Sequence, residues 1–285
     1  MRSVPKALTI AGSDSGAGAG IQADLKTFAA LEVYGTSAIT AVTAQNTLGV
    51  TQVQALSPKL VAAQIDAVVE DIGAHALKTG MLANAAIIET VARKISEHGL
   101  KNVVVDPVMV ATSGDLLIQR GAVSTLRSCL VPLATVVTPN LPEAEELTGM
   151  SLRTSDDIAQ AARRIVKLGA QSVVIKGGHR KGPAVDLFFD GSEFYALDAP
   201  RIRTKNTHGT GCTFSAAIAA YLAKGEPLRG AVGLAKRYIT EAIRAGFAVG
   251  AGHGPVHHFH RLWKKSSPDP RSLHAHPKRT RRSGK

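Results

Sequence analysis

Apolar runs rich in β-branched residues alternate with helix-like runs along almost the whole chain. The apolar runs predict nine strands, at residues 7–12, 36–45, 50–56, 76–81, 103–108, 136–138, 173–176, 185–189 and 193–197. The helix-like runs predict seven helices, which end near residues 32, 71, 98, 148, 168, 224 and 249. Such a repeated order is typical of an α/β fold with a mainly parallel sheet, and the last two strands predict a hairpin.

Polar motifs follow many of the predicted strands at the point where each strand ends. Ligands of a parallel α/β sheet bind outside the carboxyl ends of its strands, so we expect these motifs to share one rim. The motifs are the glycine loop after Gly12, Asn46, Asp106-Pro107, Thr138-Pro139-Asn140 and Lys176-Gly177-Gly178-His179.

The stretch from Thr207 to Cys212 lies directly before a predicted helix that Gly225 ends. Amide groups at the start of a helix have no intrahelical partner and lie at the positive end of its dipole. Gly209 and Gly211 have no side chains that would block close approach. The stretch therefore predicts a cradle for phosphate or another developing anion, and Cys212 adds a group able to do chemistry.

A second glycine-rich loop, at residues 13–20, follows the first predicted strand. Its G-x-G-x-x-A pattern at residues 18–23 fits a dinucleotide site, but residues 41–46 lack the carboxylate that such a site needs. The loop also lacks the closing Gly-Lys-Ser/Thr of a P-loop. A small-ligand loop is the favoured interpretation, and a tight turn is the main alternative. Asp14 and Asp24 would hold a polar ligand, or would serve only as a cap or a solvated helix residue.

Two carboxylates and a lysine are candidates for a phosphate-transfer site on the rim. Asp106 and Glu143 would hold Mg²⁺ through water, although an aspartate before proline also favours a turn and acidic residues are common in a first helical turn. Lys176 ends a strand beside two glycines and would reach a phosphate as a point charge, with a solvated lysine as the alternative.

Composition limits the class of protein. The 285 residues are 45% hydrophobic and 4% aromatic, which favours a globular domain over a base-stacking nucleic-acid surface. No apolar run reaches the roughly 18 residues that indicate a membrane span. Cys129 and Cys212 predict no disulfide framework, so a cytoplasmic location is expected.

The net charge of +12 is concentrated near the carboxyl terminus. Residues 264–285 carry +7, which leaves +5 on the first 263 residues. We expect one domain at residues 1–263 and a disordered basic tail at residues 264–285. The tail is either a solvated appendage or a weak, salt-sensitive nucleic-acid contact.

Six stretches, in the same order, closely resemble the hydroxymethylpyrimidine/phosphomethylpyrimidine kinases of thiamine biosynthesis. They lie at residues 7–14, 19–27, 138–144, 176–179, 204–212 and 252–259. The resemblance extends from about residue 7 to residue 263. It implies a ribokinase-like, three-layer α/β/α sandwich around a mostly parallel sheet. It also implies that ATP phosphorylates 4-amino-5-hydroxymethyl-2-methylpyrimidine, and then the monophosphate, to give the diphosphate.

The resemblance assigns residues to both sides of this reaction. The residues that match the pyrimidine pocket are Gly12, Ala19, Asp24, Thr43, Gln45 and Met81. The residues that match the ATP and phosphate side are Asn140, Lys176 and Thr207, with Asp106 and Glu143 for magnesium and Gly209, Thr210 and Gly211 for the anion hole. Cys212 matches the base position, which sugar-kinase relatives fill with aspartate.

Three positions carry specific expectations. A helix N-terminus is expected to lower the pKa of the Cys212 thiol, which would favour a thiolate that accepts the acceptor's proton. Thr43 stands where some relatives have an apolar residue, which leaves details of the pocket open. Ala17 departs from the glycine expected in the substrate loop and, unlike glycine, restricts a positive φ, but we expect the loop to tolerate it.

The resemblance further implies ATP as co-substrate, Mg²⁺ as cofactor, K⁺ as a candidate second cation and a homodimer without membrane contact. A pyridoxal-type kinase is the first alternative, since its acceptor is also a hydroxymethyl heterocycle. A pyrimidine sensor without turnover is the second, and Lys176 with residues 209–212 argues against it.

Overall fold

The computed structural model describes residues 4–110, 117–119, 121–178 and 184–263, so His179 and the basic tail lie outside the described residues. The strands of the described chain are Lys6–Asp14 (β1), Tyr34–Gln45 (β2), Val50–Ala55 (β3), Ala76–Thr79 (β4), Val103–Val105 (β5), Val136–Val137 (β6), Val173–Ile175 (β7), Asp186–Phe189 (β8) and Phe194–Leu197 (β9). Its α-helices are Gly20–Ala30 (α1), Pro58–Asp71 (α2), Ala85–Glu97 (α3), Ala122–Thr125 (α4), Leu141–Thr148 (α5), Ser155–Lys167 (α6), Thr210–Ala223 (α7) and Leu228–Arg244 (α8).

The strands join one sheet in the order β3-β2-β1-β4-β5-β6-β7-β8-β9. The six strands from β2 to β7 in this order are parallel, whereas β3 and the β8–β9 hairpin add antiparallel edges. The mainly parallel sheet and the hairpin are therefore confirmed. Because parallel strands need crossover connections, the helices must cover both faces of the sheet.

Two apolar cores lie between the sheet and the two layers of helices that cover its faces. Residues of α2, α3, α5 and α6 pack on one face, with Ile65, Ile88 and Ile165 fully buried. Residues of α1, α7 and α8 pack on the other face, where Phe28 and Phe188 are fully buried. Each such large side chain contributes about 1.5–3 kcal/mol by leaving water. The predicted three-layer α/β/α sandwich is confirmed.

Some predicted boundaries were wrong. β5 ends at Val105 rather than at residue 108, because the chain turns at Asp106-Pro107 to form the rim. α8 ends at Arg244 rather than near residue 249. Just after this end, Gly246 packs against Asn206. The segment that begins with α4 was not predicted as helical, and it continues as a π-helical turn and a 3-10 turn at residues 126–133. These turns have no sustained 3.6-residue period, which is the signal that a sequence offers.

Two local features place chain segments at the rim. The pairing of β1 with β2 shifts register between Ala11 and Ser13, so β1 bends at Gly12, where the glycine-rich loop begins. Asn140 begins α5 through a capping box in which its side chain accepts from the Glu143 amide and Glu143 accepts from the Asn140 amide. Within the ranges that the structure describes, no helix combines the length and the apolar character needed to cross a bilayer.

Candidate active site

A cavity of about 810 Å³ opens at the carboxyl ends of the central strands. The structure brings together eleven of the predicted site residues as parts of its lining. They are Ala19, Gln45, Asp106, Asn140, Glu143, Lys176, Thr207, Gly209, Thr210, Gly211 and Cys212. The other four, Gly12, Asp24, Thr43 and Met81, lie outside this lining. The rim that the motifs predicted is therefore present, and it joins the glycine loop to the carboxylates and Lys176.

Lys176 lies between the two candidate metal ligands. Its Nζ is 3.1 Å from Asp106 Oδ1 and 3.8 Å from Glu143 Oε2. Asp106 also accepts hydrogen bonds from Thr138 Oγ1 at 3.2 Å and from Ser215 Oγ at 3.1 Å. One ammonium group thus faces two carboxylates, so an arriving phosphate would meet a cation beside two groups that could hold a metal.

The charges in this group shift one another's pKa. Burial raises the pKa of Glu143 to about 6. The charge of Asp106 also raises this pKa, whereas the charge of Lys176 lowers it. Burial would also raise the pKa of Asp106, but Lys176 and Lys78 outweigh it and the pKa falls below its usual value. Burial would lower the pKa of Lys176, yet the two carboxylates raise it. At neutral pH the lysine is charged and Asp106 is ionised.

This donor set fits Mg²⁺. Two carboxylate groups offer hard oxygen ligands, and a magnesium ion in a phosphate-transfer site keeps water and substrate oxygens for its other positions. The capping box already uses Glu143 Oε2, which lies 2.7 Å from the Asn140 amide, so this carboxylate is oriented before any ligand binds.

The anion-hole loop packs on the glycine-rich loop. Gly209 has a left-handed backbone with φ of 75° and precedes the first residue of α7. A Cβ at Gly209 would lie 1.8 Å from the carbonyl oxygen of Gly18, so only glycine allows this contact. Thr210 Oγ1 donates to the Thr207 carbonyl at 2.7 Å and closes the turn. The N-terminal amides of α7 therefore open into the cavity beside the glycine-rich loop.

Cys212 lies in the first turn of α7, but the expectation of a lowered pKa was wrong. Burial raises the pKa of its thiol to about 11, although Lys78 and the amide of Gly20 favour the thiolate. The position at a helix start was visible in the sequence, whereas the depth of burial follows only from tertiary packing. At neutral pH the ligand-free protein carries a thiol here, not a thiolate.

Cys212 is therefore expected to react slowly with alkylating agents. A thiol whose pKa is about 11 has about 10²-fold less thiolate at pH 8 than a free cysteine, and its alkylation should still accelerate above pH 10. Iodoacetamide labelling of a Cys129→Ser variant, followed by mass spectrometry from pH 6 to 10.5, measures this rate for Cys212 alone. A rate that levels off below pH 9 would show that the thiol is acidic after all.

Asp14 organises the glycine-rich loop. Its carboxylate accepts from the amides of Gly16 at 2.8 Å, Gly18 at 3.1 Å and Ala19 at 2.8 Å. The structure thus favours a loop-forming role for Asp14, one of the two roles that the sequence left open. Ala17, within this loop, has φ of 60°.

Replacing Ala17 with glycine is expected to stabilise the protein by about 0.5–1 kcal/mol. A left-handed alanine costs roughly 1–2 kcal/mol, and part of that gain is lost because glycine adds freedom to the unfolded chain. Denaturant unfolding measures the change. The matched control is Ala29→Gly on the exposed face of α1, which should lower stability by about 1 kcal/mol. An Ala17→Gly variant as unstable as the control would contradict strain at this position.

The four predicted pocket residues outside the cavity lining lie in two places. Gly12 packs on Met81, since a Cβ there would lie 2.9 Å from Met81 Sδ. Thr43 is buried and its Oγ1 lies 3.1 Å from the Gln45 side chain. Asp24 is fully buried and pairs with Lys78, whose Nζ lies 2.9 Å from Asp24 Oδ2. Gly12, Met81 and Thr43 border Gln45 and the bend of β1. Asp24 lies beneath the site.

Sequence reasoning missed Lys78, Ser215 and His208. Lys78 stands in the apolar strand β4 and has no exposed surface. A buried lysine must have a counter-ion, so a lysine within an apolar strand is a signal that a buried carboxylate lies nearby. The sequence does not identify that carboxylate, because Asp24 is 54 residues away. His208 was visible within the anion-hole stretch, but only the structure shows that its Nε2 lies 3.0 Å from Asp14 Oδ2.

Comparison with known proteins identifies the family of this chain. A family model described as phosphomethylpyrimidine kinase matches residues 14–257. The chain is 54% identical over 259 residues to the hydroxymethylpyrimidine/phosphomethylpyrimidine kinase of Bacillus subtilis, covering 90% of this chain and 96% of that protein. It is 56% identical over 262 residues to the corresponding kinase of Rhizobium meliloti, covering 90% and 98%. It is also 56% identical over 252 residues to the thiamine biosynthesis bifunctional protein ThiED of Geobacter sulfurreducens, covering 88% of this chain but only 51% of that protein.

Solved structures show the same fold. An ADP complex of Bacillus subtilis pyridoxal kinase aligns with a TM-score of 0.85 and 47% identity, over 92% of this chain and 100% of that chain. The phosphomethylpyrimidine kinase of Clostridium difficile aligns with a TM-score of 0.75 and 46% identity, over 84% and 99%. The ribokinase-like fold that the sequence predicted is thus confirmed. Together with the family match and the identity of more than 50% to curated kinases, this shows that the chain belongs to the phosphomethylpyrimidine kinase family.

Proposed function

We propose that the protein transfers the γ-phosphoryl group of ATP to the hydroxymethyl oxygen of 4-amino-5-hydroxymethyl-2-methylpyrimidine, and then to the phosphate of the product. The observation that carries this proposal is the single cavity lined by the glycine-rich loop and Gln45 as well as by Lys176 and the start of α7. An acceptor and the transferred phosphoryl group would lie side by side in it. The curated kinases of the same family at 50–56% identity support the same substrates.

The proposed acceptor side is formed by Ala19 and Gln45 in the cavity, with Gly12, Thr43 and Met81 bordering them. Asp24 would support this side from below through its ion pair with Lys78. A pocket with few, fixed polar groups suits a small heterocycle whose ring must be oriented before the transfer.

On the donor side, we assign Lys176, Asn140 and Thr207 to ATP and its phosphates, and Asp106 and Glu143 to Mg²⁺. When bound, Mg²⁺ would neutralise phosphate charge. The amides of Gly209, Thr210 and Gly211 would stabilise the equatorial oxygens of the transferred group. The bond from the γ-phosphorus to its bridging oxygen breaks as the acceptor oxygen bonds to phosphorus, and ADP leaves.

Cys212 would face the acceptor oxygen, whose proton would leave late in the transfer to an oxygen of the transferred phosphoryl group and then to water. The raised pKa of the Cys212 thiol argues against a thiolate that waits in the ligand-free enzyme. Because phosphoryl transfer has a loose transition state, a strong base contributes less than position and charge neutralisation do. We therefore assign most of the rate enhancement to Lys176 and to the amides at the start of α7.

The purified protein with the pyrimidine, Mg²⁺ and ATP tests this function. A mass-resolved product profile over time should show the monophosphate first and the diphosphate later, each with stoichiometric ADP. Formation of neither product from either acceptor would exclude the proposed activity. ATP cleavage absent despite pyrimidine binding would instead favour the sensor without turnover.

Pyridoxal is the second candidate acceptor, because solved pyridoxal kinases align closely with this chain. One such structure, from Staphylococcus aureus in complex with AMP-PCP and pyridoxal, has a TM-score of 0.84 and 39% identity. Competition between pyridoxal and the pyrimidine in one reaction gives the ratio of their kcat/KM values. A ratio in favour of pyridoxal would overturn the assignment of the primary substrate.

Several further assignments rest on the resemblance and on general features of the chain. We propose a homodimer, which the exposed edge strand β3 and the exposed Leu48 and Val53 support. Residues 1–263 would form the kinase domain, since the family match ends at residue 257. K⁺ binding, a cytoplasmic location and the role of residues 264–285 stay predictions.

A further inference from the structure

We propose that His208 is a positioning residue of the acceptor site, which holds the glycine-rich loop in place for the pyrimidine and packs against Gln45. This inference rests on the proposed function for the identity of the acceptor. The contacts that carry it involve three separate parts of the chain: the loop at residues 14–19, the start of α7 and the segment at residues 254–256.

The backbone of His208 is fixed by the segment near the carboxyl terminus. The His208 amide donates to the Gly254 carbonyl at 3.1 Å, and the Val256 amide donates to the His208 carbonyl at 3.4 Å. These bonds form an isolated parallel bridge between His208 and Pro255. Val256 is buried, so this segment is anchored in the core and gives His208 a rigid base.

The side chain of His208 reaches across to the glycine-rich loop. Its Nε2 lies 3.0 Å from Asp14 Oδ2, and both residues are buried. Burial would raise the pKa of Asp14, but the hydrogen bonds from His208 and from the amides of Ala19 and Gly16 outweigh it and lower that pKa. Asp14 is therefore an ionised acceptor, and His208 Nε2 must carry the proton that it donates.

Two further contacts extend this bond to the loop and to the pocket. A Cβ at Gly18 would lie 2.2 Å from His208 Cδ2, so the imidazole ring packs flush against the loop backbone. The side-chain nitrogen of Gln45 lies 3.4 Å from His208 Nε2, and because both nitrogens carry protons this is a packing contact and not a hydrogen bond. Thr43 Oγ1 donates to Gln45 Oε1 at 3.1 Å. The Gln45 amide is thus confined between His208 and Thr43.

His208 binds the same Asp14 carboxylate that accepts hydrogen bonds from the amides of Gly16, Gly18 and Ala19. This carboxylate therefore sets the positions of the three amides. Losing the His208 donor would leave Asp14 with one charge-assisted bond fewer and would loosen the loop whose amides Asp14 holds. The effect should fall on the acceptor, because the His208 side chain contacts Asp14, Gly18 and Gln45, which lie in or beside the proposed acceptor side. A positioning residue of this kind changes the acceptor KM more than the ATP KM.

The test compares His208→Leu with His208→Gln. Leucine fills similar volume without a donor, whereas glutamine can place an N–H group near Asp14. We expect His208→Leu to raise the pyrimidine KM at least tenfold with the ATP KM within about twofold, and His208→Gln to recover most of the acceptor affinity. His253→Leu is the matched control, since His253 is exposed and the described hydrogen bond of its ring is to the Lys205 carbonyl at 3.3 Å.

Hydrogen exchange of the ligand-free proteins tests the same contacts without any substrate. In His208→Leu the amides of residues 16–19 should exchange about tenfold faster than in the parent, and Asp14→Asn should show the same pattern if the leucine variant does not fold. Unchanged exchange together with an unchanged pyrimidine KM would overturn the proposal. So would an equal rise of both KM values in the leucine and glutamine variants, which would indicate a general structural role. If the parent phosphorylates no pyrimidine, the proposed function fails, and the exchange rates alone decide whether His208 holds the loop.

Discussion

Replacement of Lys176 with methionine is expected to lower kcat/KM for ATP on the order of 10²–10³-fold, the usual cost of losing one group that stabilises transition-state charge. Lys176 Nζ lies 3.1 Å from Asp106 and 3.8 Å from Glu143, and we assign it to the phosphates of ATP. Without it the two carboxylates would repel those phosphates. The pKa of Glu143, already raised to about 6 by burial, would rise further because Lys176 no longer lowers it.

Steady-state kinetics with ATP varied at saturating pyrimidine measures this loss. Removal of one partner from a buried ion pair also destabilises a protein, so the assay should be run well below the melting temperature of each variant. Lys205→Met is the matched control, because Lys205 is exposed in the loop that leads to Thr207. Turnover of Lys176→Met within threefold of the parent would remove this lysine from the phosphate side.

Replacement of Gly209 with alanine is expected to destabilise the protein by about 2–5 kcal/mol and to abolish most of its activity. The alanine would adopt an unfavourable left-handed backbone, since φ is 75°, and its Cβ would lie 1.8 Å from the Gly18 carbonyl oxygen. Neither atom belongs to a flexible side chain, so the two loops must separate. Because we assign the anion hole to one loop and a border of the acceptor site to the other, we expect both sides of the cavity to be disturbed together.

Gly211→Ala separates this effect from a change in chemistry. Gly211 has no positive φ, and a Cβ there would lie 3.3 Å from Lys176 Nζ, the end of a flexible side chain. We expect its unfolding free energy to stay near that of the parent while kcat falls, since the methyl group enters the anion hole. Urea unfolding and kcat of the two variants give the comparison. A Gly209→Ala protein as stable as Gly211→Ala would show that the loops do not need their close contact.

Much of the fold was predictable because the sheet is buried on both faces. Strands such as Val103–Val105 are fully apolar, so their position follows from a short apolar run bounded by polar motifs. The rim was predictable for a related reason: in a parallel sheet the residues that follow each strand meet at one edge. Asp106, Asn140 and Lys176 follow β5, β6 and β7 and do line one cavity.

The parts that sequence reasoning missed depend on contacts between distant residues. The pKa of Cys212 moves upward because of burial, and no local pattern around residue 212 reports that depth. The pairing of Lys78 with Asp24 joins β4 to α1, which lies 54 residues earlier. The contact of His208 with Asp14 spans 194 residues. Such pairs follow only from the completed topology.

The bridge between His208 and residues 254–256 also sets an order of events during synthesis. The Gly252 amide donates to Thr47 Oγ1, 205 residues earlier, and the Tyr238 hydroxyl donates to the His258 carbonyl. We therefore expect a nascent chain to expose its glycine-rich loop until almost the whole family-matched region has left the ribosome. Contacts of such long sequence separation form slowly, so we expect the rim of the site to close late in folding.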